Sequence, residues 1–134
     1  MISDSLSQEL INRARQVREN SYSPYSEFKV GAAILTDKGN IYCGCNVENA
    51  SFGGSICAER GAAMTAVAAE GAGRFLAIAI ASGSDEPAPP CGICRQFLSE
   101  FTSPDAPVYL VSAKSGVVRD YTFGDLMPLT FTEF

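Results

Sequence analysis

The order of elements legible in this sequence predicts a three-layer α/β/α sandwich. Three observations carry that expectation. Two strand-like segments flank a tight turn at Asp37-Lys38-Gly39-Asn40, an alanine-rich stretch follows Cys57, and apolar runs at Phe75–Ser82 and Val108–Ser112 each come after a helical segment. A continuous apolar run marks a strand covered on both faces.

From the N-terminus, Leu6, Leu10, Ile11, Ala14 and Val17 fall at helical spacing, which predicts an amphipathic helix over about 5–20 capped by Ser5 or Ser7. Tyr22-Ser23-Pro24-Tyr25-Ser26 breaks it. Phe28–Thr36 reads as a strand and Ile41–Val47 as its hairpin partner, with Gly53-Gly54 in the connection that follows. Cys57 to about Glu70 is a helix, ended by Gly71-Ala72-Gly73. After the Phe75–Ser82 strand comes a proline-rich loop, Asp85–Pro90, then a helix over Cys91–Phe101. Val108–Ser112 is a buried strand, Lys114-Ser115-Gly116 a turn and Val117–Phe123 a last strand, with a short helix before Met127-Pro128.

The 134 residues fit one domain over 1–134, and a composition 46% hydrophobic and 19% charged is that of a packed globular protein. The net charge is −5, with cations scattered singly. A polynucleotide binder needs a basic stripe to neutralise phosphates. A small neutral ligand is therefore expected, with no nucleic acid as partner. Apolar stretches fall well short of the ~20 residues of a membrane span. The first ten residues lack both the cationic and the apolar region of a signal peptide. Five cysteines, an odd number, then argue for reduced thiols in the cytoplasm.

There is no histidine, so imidazole chemistry is excluded and a catalytic metal must rest on sulfur or oxygen. Cys57-Ala58-Glu59 and Pro90-Cys91-Gly92-Ile93-Cys94 supply three sulfurs and one carboxylate. This is the all-cysteine form of the signature of zinc deaminases acting on nucleobases. Cys91 and Cys94 share a helix face, while Cys57 and Glu59 at a helix's first turn can both point past its end. Helix N-termini favour thiolate over thiol. Three protein ligands leave a fourth tetrahedral position for water, the arrangement of catalytic rather than structural zinc. Glu59 would accept the water's proton and pass it to the substrate and its leaving group. Three thiolates and Zn²⁺ sum to a negative charge, which Arg60 and Arg95 would draw off by hydrogen bonding to sulfur, Arg60 more so. A Cys-x-x-Cys is also found in redox and structural sites, and Cys43 or Cys45 would be the fourth ligand of a structural zinc.

These residues, with several blocks outside the metal motif, resemble the small cytidine deaminases of pyrimidine salvage. The likeness runs through Tyr22-Ser23-Pro24-Tyr25-Ser26-Glu27-Phe28, Val30-Gly31-Ala32-Ala33 and Gly44-Cys45-Asn46-Val47-Glu48-Asn49-Ala50. It continues through Cys57-Ala58-Glu59-Arg60, Pro90-Cys91-Gly92-Ile93-Cys94-Arg95-Gln96 and the tail around Met127-Pro128-Leu129-Thr130-Phe131. The resemblance implies a cytidine-deaminase-like sandwich around a central mixed five-stranded sheet. It implies one zinc per chain on Cys57, Cys91 and Cys94, with Glu59 as proton shuttle. The implied reaction is hydrolysis of cytidine and 2′-deoxycytidine to uridine and 2′-deoxyuridine with loss of ammonia. Phe28 would stack on the pyrimidine, Asn46 and Glu48 would bind the ribose, chiefly its 3′-hydroxyl, and the backbone at Ala58 with Glu59 would read the base edge. Phe131 would reach a neighbouring subunit's site in a homotetramer.

On the residues alone, Phe28 also suits a plain core position, Asn46 and Glu48 a solvated strand face, and Phe131 a cover for the protein's own core. The chain departs from the family pattern at Phe52, where a tyrosine is common, and in the glycine-rich stretch Phe52-Gly53-Gly54-Ser55. Gly61 is a weak helix former placed early in a helix, an opening for close packing. The rival expectations are a deaminase of another aminopyrimidine such as blasticidin S, a polynucleotide-editing deaminase, and a non-enzymatic zinc module that needs four ligands and no Glu59.

Overall fold

Helix α1 (Asp4–Arg18) opens at Ser3, whose extended backbone lets its Oγ accept from the Leu6 N–H at 3.2 Å. The expected caps lie inside the helix instead, and the Ser7 hydroxyl bonds back to the Asp4 carbonyl at 2.9 Å. The computed structural model describes residues 2–134. Five strands follow: β1 (Val30–Thr36), β2 (Ile41–Cys45), β3 (Phe75–Ser82), β4 (Pro107–Ser112) and β5 (Val118–Thr122). They form one sheet in the order β2-β1-β3-β4-β5, parallel between β3 and β4 and antiparallel elsewhere. The expected mixed five-stranded sheet is therefore present. Helices α2 (Ala58–Glu70), α3 (Gly92–Ser99) and α4 (Phe123–Leu126) complete the chain.

The three layers follow from the period of two along each strand. In β1, Ala33 and Leu35 pack on Leu10, Ile11 and Ala14 of α1, while Ala32 and Ile34 face Ala58, Ala62 and Ala66 of α2. In β3 the same alternation puts Ala77, Ala79 and Ala81 toward α1, and Ile78 and Ile80 toward α2 and Leu98 of α3. The apolar run expected to be covered on both faces is so covered from Ala77 to Ser82, while Leu76 near its start is exposed.

Strand ends differ from expectation where side chains intercept the ladder. Glu27 has φ 58°, a left-handed residue that turns the chain and leaves Phe28 outside β1. The Asn46 side chain takes the Val30 N–H at 2.9 Å, and Val47 leaves β2 to pair with Ile56 and Tyr22.

Two glycines set the distance between sheet and helices. A Cβ on Gly31 would lie 2.2 Å from the Ala14 carbonyl oxygen, and one on Gly44 would lie 2.3 Å from the Ala62 nitrogen. Gly61, expected to be the opening for close packing, is not: its Cβ would meet nothing nearer than 3.7 Å, at the Cys45 carbonyl. The close approach is made from the strand side. Among the described residues no helix is long and apolar enough to cross a membrane.

Candidate active site

Both helices on the α2/α3 face begin at a cysteine. Cys57 is the N-cap of α2 and Cys91 that of α3, each in extended backbone and neither using its side chain as a cap. Their sulfurs are thus left to other partners. Cys94 lies in the first turn of α3 and is fully buried. The three sulfurs lie within 4.8 Å of one another, with Cys57 and Cys91 3.8 Å apart. Tetrahedral geometry at a zinc–sulfur distance of about 2.3 Å sets sulfurs about 3.8 Å apart, so the donor set fits that ion.

No fourth sulfur joins them. Gly44 faces Ala62 of α2, so its neighbours Cys43 and Cys45 point to the opposite face of the sheet, where Cys43 packs against the α1 cluster. Among the described residues, Cys57, Cys91 and Cys94 alone form such a group. The four-ligand structural site therefore has no fourth cysteine.

The neighbouring Cys94 thiol, with Arg60 and Cys91, holds the Cys57 thiol well below its ordinary value. Cys57 beside it, together with burial, pushes the Cys94 thiol up. A cation held by the three sulfurs requires them as thiolates, so binding releases protons. Arg60 donates through Nη2 to Cys57 Sγ at 3.6 Å. Arg95 has a different task from the one expected. Its Nε donates to the Pro90 carbonyl at 2.8 Å and its Nη1 to the Leu126 carbonyl at 2.6 Å. It fixes the backbone entering Cys91 instead of neutralising sulfur.

Glu59, in the first turn of α2, is 4% exposed. Burial pushes its carboxyl up to about 7, with the Cys57 charge adding to the rise and Arg60 opposing it.

Glu59, Cys57, Cys91 and Ala58 line one cavity of ≈ 230 Å³, together with Phe28, Asn46 and Glu48. Phe28, 39% exposed, faces this cavity and is not a core residue. Asn46 Oδ1 accepts from the Val30 N–H and the Ser21 hydroxyl, and Nδ2 donates to the Phe28 carbonyl at 2.8 Å. Glu48 Oε1 accepts from the N–H groups of Tyr25 and Ser26, at 2.9 and 3.0 Å, and Oε2 from the Ser26 hydroxyl. Both side chains therefore hold the Tyr25–Val30 segment in place. A primary amide has two donors and two acceptor sites, and a carboxylate about four acceptor sites. What is left over is one N–H on Asn46 and one acceptor site on Glu48.

Phe131 stands apart from the cavity, 67% exposed, with its carbonyl accepting from Gln96 Nε2 at 2.8 Å. It does not cover the protein's own core. Phe52 is 75% exposed and meets Tyr25 edge-on, ring centroids 5.7 Å apart. Ser26, Ser82, Ala88 and Pro89 also line the cavity and were not singled out in the sequence. Only Ser26, which lies inside one of the resemblance blocks, carried any signal.

A family model for the cytidine and deoxycytidylate deaminase zinc-binding region matches residues 4–110. The chain belongs to this deaminase family. It is 41% identical to the cytidine deaminase of Sporosarcina psychrophila over 126 residues, covering 94% of this chain and 91% of that protein. Identity to the cytidine deaminase of Halalkalibacterium halodurans is 44% over 125 residues, with 93% of each chain covered. The crystal structure of cytidine deaminase from Burkholderia pseudomallei superposes with a TM-score of 0.87 at 44% identity, over 97% of this chain and 100% of that one. The chain is thus an enzyme of the cytidine deaminase family by sequence and by fold.

Proposed function

We propose that this chain hydrolyses cytidine and 2′-deoxycytidine to uridine and 2′-deoxyuridine with release of ammonia, a step of pyrimidine salvage in the cytoplasm. The observation that carries this reading is the placement of the buried Glu59 carboxyl in one cavity with Phe28 and with Cys57 and Cys91 of the three-sulfur cluster. Cys57, Cys91 and Cys94 would hold one Zn²⁺, which when bound acts as a Lewis acid and acidifies water. Arg60 offsets the excess negative charge of the thiolates. Glu59 takes a proton from the attacking water, delivers it to the pyrimidine ring nitrogen, and carries the second to the departing amino group. Phe28 stacks on the base, and Ala58, at the head of α2, presents its backbone to the base edge.

The unused N–H of Asn46 and the unused acceptor site of Glu48 complement a single hydroxyl, which accepts one bond and donates one. That supports one sugar hydroxyl, the 3′ one, as the contact, and leaves no requirement for the 2′-hydroxyl. It also favours a nucleoside over blasticidin S. The net charge of −5 and the absence of any cationic side chain from the cavity wall oppose a polynucleotide. The exposed Phe131 supports a homotetramer in which this ring reaches the neighbouring site.

The test is ammonia release from cytidine, 2′-deoxycytidine, adenosine and blasticidin S in parallel, with metal content and Glu59→Gln as control. Release from both cytosine nucleosides, falling about 10²–10⁴-fold in Glu59→Gln with metal retained, is expected for a proton shuttle. Silence on all four substrates with one zinc per chain would sink it.

A further inference from the structure

The loop between β3 and α3 supplies Ala88 and Pro89 to the cavity wall and ends at Cys91, where Arg95 of α3 holds its Pro90 carbonyl. Ahead of that point its side-chain support comes from two serines at the ends of β3 and β4. Ser82 and Ser112 are partners in the parallel β3–β4 ladder at its last register, and they are 1% and 0% exposed. Ser112 Oγ donates to the Ser84 carbonyl at 2.6 Å and accepts from the Lys114 and Ser115 N–H groups at 3.2 and 2.9 Å. Ser84 Oγ donates to the Glu86 carbonyl at 2.6 Å, so in its 3.3 Å contact with Ser82 Oγ the proton belongs to Ser82. Ser82 Oγ in turn accepts from the Ala88 N–H at 3.3 Å.

The direction of every bond is therefore fixed. The links run from β4 through Ser112 Oγ to the Ser84 carbonyl, and from Ser84 Oγ through Ser82 Oγ to the N–H of Ala88 in the cavity wall. At the surface, Lys114 and Arg119 pair with Asp85 and Glu86 at 3.3 and 3.2 Å, but these exposed pairs are weak supports. The two buried hydroxyls are the stronger ones, since each ties several half-buried or exposed loop groups to the end of the sheet at once.

We propose that Ser112, with Ser82, is a positioning residue for the reaction: its hydroxyl sets where the Ala88-Pro89 wall stands against the bound base. It touches no substrate and acts through the loop alone. As a statement about turnover, this rests on the nucleoside-deaminase reading above.

The decisive comparison is Ser112→Thr with Ser112→Val, two side chains of one shape that differ by the hydroxyl. Ser112→Val is expected to raise KM for cytidine about fivefold, the equivalent of one net hydrogen bond. Its kcat and metal content should be unchanged, and the Ala88 amide should exchange faster with solvent. Ser112→Thr should match the parent in each respect. Equal KM and equal Ala88 exchange in the two variants would overturn the proposal. Ser82→Ala, which removes one atom, repeats the exchange measurement should the Val variant fail to fold, and unaltered Ala88 exchange there overturns it equally. Amide exchange needs no turnover. A parent enzyme silent on cytidine would therefore refute the functional reading, while the exchange comparison would still decide the serines' role.

Discussion

Gly44 and Gly61 offer a paired perturbation whose two halves have opposite signs. A Cβ at Gly44 would lie 2.3 Å from the Ala62 nitrogen and 2.7 Å from the Ala58 carbonyl oxygen, all of it α2 backbone. From 2.3 Å to the 3.4 Å at which ordinary contact begins is a retreat of about 1 Å. Cys57 caps α2 and Glu59 lies in its first turn, so the retreat carries with it the carboxyl proposed to move the proton. Overpacking of this kind costs about 1–3 kcal/mol, and about 1 Å of misplacement at a reacting group costs about 10²-fold in rate. For a domain of this size Gly44→Ala should lower Tm by about 4–12 °C. Gly61→Ala meets nothing closer than 3.7 Å and replaces a glycine inside α2, so it should raise Tm by about 3 °C with kcat unchanged. Thermal unfolding and steady-state deamination on both variants decide the matter. Equal Tm shifts, or full activity in Gly44→Ala, would show that β2 does not set the position of α2.

Other outcomes follow from the site. Hydrogen bonds from Ser26 hold the Glu48 carboxyl below its ordinary value, so the ionised form is the one that orders the Tyr25–Val30 segment. A depressed carboxyl stabilises above its unfolded value, and that contribution is lost as pH falls through the folded one. KM for cytidine should therefore climb below about pH 4.5, the ordinary carboxylate value, and Glu48→Gln should abolish the climb while raising KM throughout. Arg60→Ala should weaken metal binding about 10–100-fold in competition with a chelator, whereas Arg95→Ala, whose partners are carbonyls, should spare the affinity and raise KM; equal losses would contradict the division of labour. Phe131→Ala should raise KM with little change in Tm, because the ring is 67% exposed in one chain. A stable monomer with full activity in sedimentation would refute the shared site.

Periodicity and punctuation made the architecture legible. The Ala–Ile alternation of β3, the turn at Gly39 and the glycines after Glu70 are local signals, and the sheet and helices stand within a few residues of where those signals placed them. The three-cysteine cluster was legible because thiols in two short motifs have few other uses without histidine. What escaped was whatever depends on a distant backbone atom. Nothing near Arg95 says that its guanidinium will find the carbonyls of Pro90 and Leu126 in place of sulfur. Gly44 looks like any strand glycine until α2 lies across it, and Ser82 and Ser112 are two small polar residues ending apolar runs until the parallel pairing sets them side by side. The left-handed turn at Glu27 has no residue signature, since glutamate rarely adopts it.

The hydrogen-bond count at Asn46 and Glu48 carries a rule for analogue chemistry. Most of both side chains is committed to the protein's own loop, so under the proposed sugar contact they can reward one alcohol and no more. Analogues altered at the 2′ position, in either configuration, should be degraded about as fast as the parent nucleoside wherever they fit. Removing the 3′-oxygen strands a donor and an acceptor together, at about 1–3 kcal/mol for each group left unpaired. Under that proposed contact, resistance is to be designed at the 3′ carbon, and a carbocycle bearing a single well-placed hydroxyl is the matching inhibitor scaffold.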